Sequence, residues 1–190
     1  MVQETIAIVS GLPRSGTSMM MRMLQAGGLE VLTDDLRTPD QDNPKGYFEF
    51  ERVKQIEHDK SWLDEARGKV VKMISQLLLH LPAEYSYRVV FMHREMEELL
   101  ASQRKMLERR GEPLDKASDP RMAELFHKHL ERIQAWLDHQ SNFDVIHVSY
   151  NQVLDAPREQ ARRVDRFFGE GLDVKAMVDV VDPTLYRQRR

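Results

Sequence analysis

Ile6-Ala7-Ile8-Val9-Ser10-Gly11-Leu12-Pro13-Arg14-Ser15-Gly16-Thr17-Ser18 is a stretch that changes character twice. Its first four residues form a continuous apolar run, as a strand buried on both faces of a parallel sheet requires. From Gly16 onward, Met19, Met20, Met23 and Leu24 recur at helical spacing, and Gly27-Gly28 closes the segment as a C-cap does. Between strand and helix, Gly11 to Ser18 has the glycine spacing of a Walker A loop, with Thr17 where that pattern has lysine. Such a turn binds anions because glycines let successive backbone N–H groups converge and the helix N-terminus adds partial positive charge. The only cation within the loop is Arg14, so the lysine that reaches the outer phosphates of a nucleoside triphosphate is missing. A glycine-rich turn alone is also compatible with a plain strand-to-helix connection; the strand before it and the helix after it favour the phosphate site.

Outward from this turn, the pattern predicts a short strand at Leu29 to Leu32, a long loop from Thr33 to Gly46, and helix over Glu49 to Ala66. Further strands are expected at Lys69 to Ile74, Tyr87 to Met92 and Phe143 to Val148. Further helices are expected at Glu95 to Arg110, Arg121 to Gln140 and Pro157 to Phe168, the last with proline in its first turn. Strands alternating with helices imply an α/β chain: a P-loop nucleotide-binding fold with a central parallel sheet flanked by helices, and ligands at the carboxyl ends of the strands. With 190 residues the expectation is a single domain over 1–190. The later strands end in His93-Arg94 and Ser149-Tyr150, which offer no terminal aspartate to organise magnesium, so a metal-free phosphate donor is expected. His127 and His129 fall on different helix faces and the histidines form no recognisable ligand set; no metal is expected.

A net charge of -3 gives no global pull toward nucleic acid, so anion binding must be local. No cysteine is present, which excludes disulfides and thiolate metal sites. Val2-Gln3-Glu4-Thr5 is too polar for a signal peptide, and no stretch approaches the ~20 apolar residues that cross a bilayer. A bacterial-type cytoplasmic enzyme without a membrane span is expected.

Three elements together resemble the sulfotransferase superfamily, in particular its short bacterial members. Pro13-Arg14-Ser15-Gly16-Thr17-Ser18 is similar to the family's loop that cradles a 5′-phosphosulfate. Arg88-Val89-Val90-Phe91-Met92-His93-Arg94 followed by Ser102 matches a strand-end arginine and a serine eight residues later that hold a 3′-phosphate. Val148-Ser149-Tyr150 through Leu154-Asp155-Ala156-Pro157 to Phe167-Phe168-Gly169 looks like the family's last strand and following helix. The resemblance implies 3′-phosphoadenosine-5′-phosphosulfate (PAPS) as cosubstrate and a small-molecule, carbohydrate or lipid acceptor. It implies cosubstrate binding by Pro13, Arg14, Ser15, Gly16, Thr17, Ser18, Arg94 and Ser102. Arginine is a clamp rather than an acid at neutral pH, so Arg14 is expected to stabilise the leaving phosphate.

Asn43-Pro44-Lys45-Gly46-Tyr47-Phe48-Glu49 is similar to an element of bacterial relatives and makes Glu49 the first candidate for the base, ahead of Glu51 and His58. A carboxylate there also suits a helix start. Lys72 corresponds to a lysine near the transferred group, or is a strand-end lysine that snorkels. Taken from the residues alone, Arg94 could equally pair with Glu95, Glu97 or Glu98, and Ser102 could be a solvated helix residue. The chain departs from the family in lacking a glycine-rich segment after Gly169; the arginines of its Asp182 to Arg190 tail are candidates to replace it. A nucleotide kinase or triphosphatase and a non-catalytic nucleotide-binding module are the competing functions. Acceptor specificity is expected in the Thr33 to Gly46 and Gly111 to Pro120 loops.

Overall fold

The apolar run after Thr5 forms β1 (Ile6–Gly11), buried along its whole length, in a computed structural model that describes residues 5–34, 46–111, 119–182 and 184. β1 lies between β2 (Val70–Lys72) and β3 (Tyr87–His93), and β4 (Phe143–Ser149) extends the sheet beyond β3. The order is β2-β1-β3-β4 and every pairing is parallel. The chain is thus α/β with a P-loop-like arrangement, as the alternation of strand and helix patterns implied.

Side chains of a strand alternate between faces, and each face of β1 meets its own core. Ile6 and Ile8 join Val71, Val89 and Phe91, under Trp62, Leu63 and Ile133. Ala7 and Val9 join Val70, Val90 and Met92, under the methionines of α1 (Thr17–Ala26) and residues Ala161 and Val164. Burial on both sides explains why β1 reads as unbroken apolar sequence rather than as alternation.

α2 (Met96–Arg109) follows β3, α3 (Asp119–Leu137) precedes β4, and α5 (Pro157–Phe167) carries proline in its first turn as expected. Two short helices had no periodic signal. α4 (Tyr150–Asp155) starts where Ser149 Oγ accepts from Gln152 N at 3.3 Å, and α6 (Val174–Asp179) where Asp173 Oδ1 accepts from Ala176 N at 2.9 Å.

Three local expectations need correction. The strand at Leu29 to Leu32 reduces to one bridge between Val31 and Val70. The helix over Glu49 to Ala66 is a 3-10 turn, Glu51–Gln55, followed by further turns. There Asp59 Oδ1 accepts from Ser61 N at 3.0 Å and from Ser61 Oγ at 2.7 Å, a side-chain alternative to helical bonding. The strand at Lys69 to Ile74 keeps only its centre, after which Ser75–His80 turns as a 3-10 helix. Residues 35–45 and 112–118 of the two loops expected to choose the acceptor lie outside the described residues, as do the tail arginines Arg187, Arg189 and Arg190. No helix among the described residues is long and apolar enough to cross a membrane.

Candidate functional site

The turn between β1 and α1 leaves the carboxyl end of the central strand, so residues at the ends of β2, β3 and β4 surround it. Two glycines make its path possible. Gly11 has φ +146, and a Cβ there would fall 2.6 Å from Met92 O on β3. Gly16 has φ +98, and a Cβ there would fall 2.4 Å from Cδ2 of Tyr150. Arg14 also lies in the left-handed region, φ 70, which a residue bearing a Cβ adopts only at a cost.

Gly16 brings no side chain to cap α1, and among the described residues Ser15 Oγ, shielded from solvent, has no hydrogen-bond partner, nor does Ser10 Oγ at the end of β1. Buried hydroxyls are normally satisfied, so these two beside the glycine turn fit a ligand rich in acceptor oxygens. Thr17 and Ser18 begin α1, and Pro13 is exposed at the outer edge of the turn.

On the β3 side, Arg14 Nε donates to Ser102 Oγ at 3.0 Å, and Arg94 Nη1 donates to the Arg14 carbonyl oxygen at 3.2 Å. Loop, strand end and helix α2 therefore meet in one cluster. Ser102 is only 7% exposed and is not a solvated helix residue. Arg94 is flanked by Glu98, whose Oε2 lies 3.4 Å from Arg94 Nε and accepts from Asn151 Nδ2 at 3.0 Å. Both halves of the Arg94–Glu98 pair are buried, so the sequence alternative of an Arg94–Glu98 pair is realised together with the contact to the loop.

Tyr150 was quoted from the sequence without a role. Its ring packs against Gly16 and carries the Arg94 guanidinium carbon 4.6 Å from the ring centroid. Burial pushes the phenol upward, Arg94 opposes this, Glu98 reinforces it, and Arg22 and Arg14 oppose it further. Its position at the close of β4 was the only available signal, because contact with Gly16 spans most of the chain.

On the β2 side, the Tyr47 carbonyl oxygen accepts from Ser18 Oγ at 3.4 Å and from Lys72 Nζ. Lys72 Nζ lies 3.8 Å from Glu49 Oε1, and Lys54 Nζ lies 3.8 Å from Glu49 Oε2. Glu49 is held through its backbone, its carbonyl accepting from Thr33 Oγ1 at 2.8 Å and Asp34 N at 3.2 Å. Thus Ser18, Glu49 and Lys72 come together, while Glu51 pairs with Lys54 at 2.6 Å and His58 is exposed. Among the described residues, no group of three or more His, Asp or Glu side chains could hold a metal ion.

His93 and His147 form a further pair at the ends of β3 and β4, His93 Nε2 lying 2.8 Å from His147 Nδ1. Burial lowers the pKa of both, and the neighbouring His147 lowers that of His93 further, whereas Asp138 raises that of His147.

Residues 46–173, well over half of the chain, match the sequence description of the Sulfotransferase family. The matched segment contains Glu49, Lys72, Arg94, Ser102 and Tyr150; the glycine turn precedes it. Similar solved structures include the sulfotransferase domain from the Synechococcus PCC 7002 olefin synthase, with a TM-score of 0.59 and 14% identity, covering 96% of this chain and 79% of that one. The sulfotransferase domain from the curacin biosynthetic pathway gives 0.55 at 14% identity, covering 94% and 78%. Mouse sulfotransferase SULT7A1 complexed with PAP gives 0.54 at 14% identity, covering 95% of this chain and 64% of that one. At such identities the likeness concerns the fold. No curated protein matches the sequence.

Proposed function

Because the chain belongs to the sulfotransferase family, we propose that it moves a sulfuryl group from PAPS to a hydroxyl or amine of a small-molecule, carbohydrate or lipid acceptor. The observation that carries this reading is the cluster in which Arg14 binds Ser102 while Arg94 binds the Arg14 backbone. It unites an anion-binding turn with a second cationic position beside it, which suits a nucleotide with phosphates at two places. The two orphaned serine hydroxyls also fit such a ligand. The PAP held by the mouse neighbour supports the same donor.

In the transfer, the sulfur–oxygen bond to the donor phosphate breaks, a bond forms from sulfur to the acceptor oxygen or nitrogen, and the acceptor gives up a proton. The leaving phosphate keeps the bridging oxygen and its negative charge. Arg14, the turn amides and the hydroxyls of Thr17 and Ser18 meet that charge, through charge-assisted bonds stronger than neutral ones. Arg94 and Ser102 hold the 3′-phosphate. Glu49 takes the acceptor proton, and Lys72, fixed by Tyr47 O and Glu49, faces the group in flight.

Thermal denaturation with adenosine 3′,5′-bisphosphate, with ATP and magnesium, and with AMP tests the reading. At a hundredfold excess over Kd, a ligand adds about 2.7 kcal/mol, or roughly 5–10 °C for a domain of this size. The bisphosphate is expected to give this shift, reduced in Arg94→Ala and Ser102→Ala. A shift with ATP and magnesium but none with the bisphosphate would transfer the protein to the kinases and triphosphatases. No shift with any ligand would leave a non-catalytic module.

A further inference from the structure

Arg22 lies one turn beyond the start of α1, and its Nε and Nη1 atoms are shielded from solvent with no hydrogen-bond partner among the described residues. Burial lowers its pKa, while Tyr150 and then Asp182 raise it. Asp182 does not supply the missing acceptor to those two atoms; its Oδ1 accepts from Thr184 N at 3.0 Å and Thr184 Oγ1 at 2.6 Å. A guanidinium stays charged at any physiological pH, and buried donors without acceptors are among the least favourable arrangements a native chain keeps. Such an arrangement is retained where something else completes it.

Two directions locate what is missing. Helical side chains lean toward the N-terminus of their helix, so Arg22 projects back toward the end of α1 that Gly16 and Thr17 begin. Tyr150, which senses the charge of Arg22, also packs on Gly16 and under Arg94 and senses Arg94 and Arg14. The Arg94 guanidinium thus lies on the ring itself, and the charges of Arg22 and Arg14 act on the same hydroxyl more weakly. Of the nearby acids, Glu98 is engaged by Arg94 and Asn151. Glu98 offsets the charge of Arg94, while Nε and Nη1 of Arg22 have no acceptor among the described residues, so an anion beside the turn is drawn toward Arg22 as well.

We propose that Arg22 is a third binding residue for the nucleotide's second phosphate, approaching it from α1 while Arg94 and Ser102 approach from β3 and α2. This rests on the bisphosphate nucleotide reading above and adds a contact that the sequence motifs did not point to. With Arg94 and Ser102, Arg22 contributes to the preference for a nucleotide with a 3′-phosphate over one without.

The test is Arg22→Met, which keeps the aliphatic stem and removes the charge. Isothermal titration of parent and variant with adenosine 3′,5′-bisphosphate and with AMP gives two affinities each, and calorimetric melting gives the ligand-free stability. Bisphosphate binding is expected to weaken about tenfold, as for loss of one charge-assisted contact, with AMP binding unchanged and the ligand-free melting temperature equal or higher. Arg22→Lys is expected to restore part of the bisphosphate affinity. Unchanged bisphosphate affinity in Arg22→Met overturns the proposal. So does equal weakening toward both nucleotides, which would assign Arg22 to the 5′ end. A ligand-free variant that melts lower, or does not fold, overturns it as well, because groups of the chain itself would then be using the charge. If the parent binds no bisphosphate, the nucleotide reading fails and this inference falls with it, an outcome distinct from binding that ignores the substitution.

Discussion

Arg14 and Gly16 share a left-handed backbone, but the consequences of replacing them are opposite. At φ 70, Arg14 is strained and glycine would fit its backbone better. Arg14→Gly is therefore expected to change folding stability by less than about 1 kcal/mol in urea denaturation while lowering kcat roughly 10²–10³-fold; an equal loss of stability and turnover would mean that Arg14 mainly holds the turn together. Gly16 has no such freedom, because a Cβ at φ +98 would meet Tyr150 at 2.4 Å. Gly16→Ala is expected to cost about 1–3 kcal/mol by the same measurement, and a neutral result would show that the Tyr150 ring yields easily. The histidine pair makes a prediction of different sign. His93 and His147 both titrate below the ordinary 6.5, so above that value neither state binds the proton. As pH falls below 6.5 the unfolded chain takes protons first, and stability is lost until the folded pair titrates too. His147→Asn should flatten this acid-side slope in melting curves recorded between about pH 7 and 5; a slope unchanged from the parent would place its origin elsewhere.

The elements that sequence reading found, β1, β3, β4, α1 and the three longer helices, each carry a run or a periodicity of apolar residues. α4 and α6, six residues each, span too little for periodicity to register, and their starts are set by single capping side chains, Ser149 and Asp173. The segment after Glu49 was misread because Arg52, Asp59 and Ser61 satisfy one another across the turns. Likewise Arg14, Arg94 and Ser102 were legible as candidates because they lie within short motifs, and Glu98 as one of three possible partners of Arg94, whereas the contact of Tyr150 with Gly16 depends on which helix ends the sheet brings together. Glu98 is the clearest of these joints. It links α2 to the end of β3 through Arg94 and to α4 through Asn151, with its own side chain buried. Breaking a buried ion pair from one side leaves the other charge uncompensated, at a cost of about 3 kcal/mol or more. Glu98→Gln is thus expected to melt well below the parent, and because a bound phosphate returns negative charge to Arg94, the bisphosphate should stabilise the variant by more degrees than it stabilises the parent. Equal ligand-induced shifts would show that Arg94 does not face the nucleotide.

At the scale of the whole molecule, the sheet separates an edge closed by backbone bonds from the edge that carries the candidate site. At the amino ends of the strands, Ile6 N donates to Ser86 O at 3.0 Å and Tyr87 N to Asn142 O at 2.9 Å, ordinary backbone closures between strand and turn. At the carboxyl ends lie the strained Arg14, two serine hydroxyls without a partner among the described residues, and Arg94 bound to the Arg14 backbone. Interactions left incomplete at one end have to be sustained by packing at the other, and both cores, one on each face of β1, run toward the amino end through Ile6 and Ala7. A ligand that completes the carboxyl edge should therefore quiet that edge alone. In amide hydrogen exchange, adenosine 3′,5′-bisphosphate is expected to slow residues 11–18, 94–102 and 149–152 by about tenfold or more, the population of locally open states falling with each added 1.4 kcal/mol. Amides of Ile6 and Tyr87 open through global unfolding and should slow only by the overall stabilisation. Protection confined to 11–18 would limit binding to the glycine turn, and the two-phosphate arrangement on which Arg94, Ser102 and Arg22 depend would be wrong.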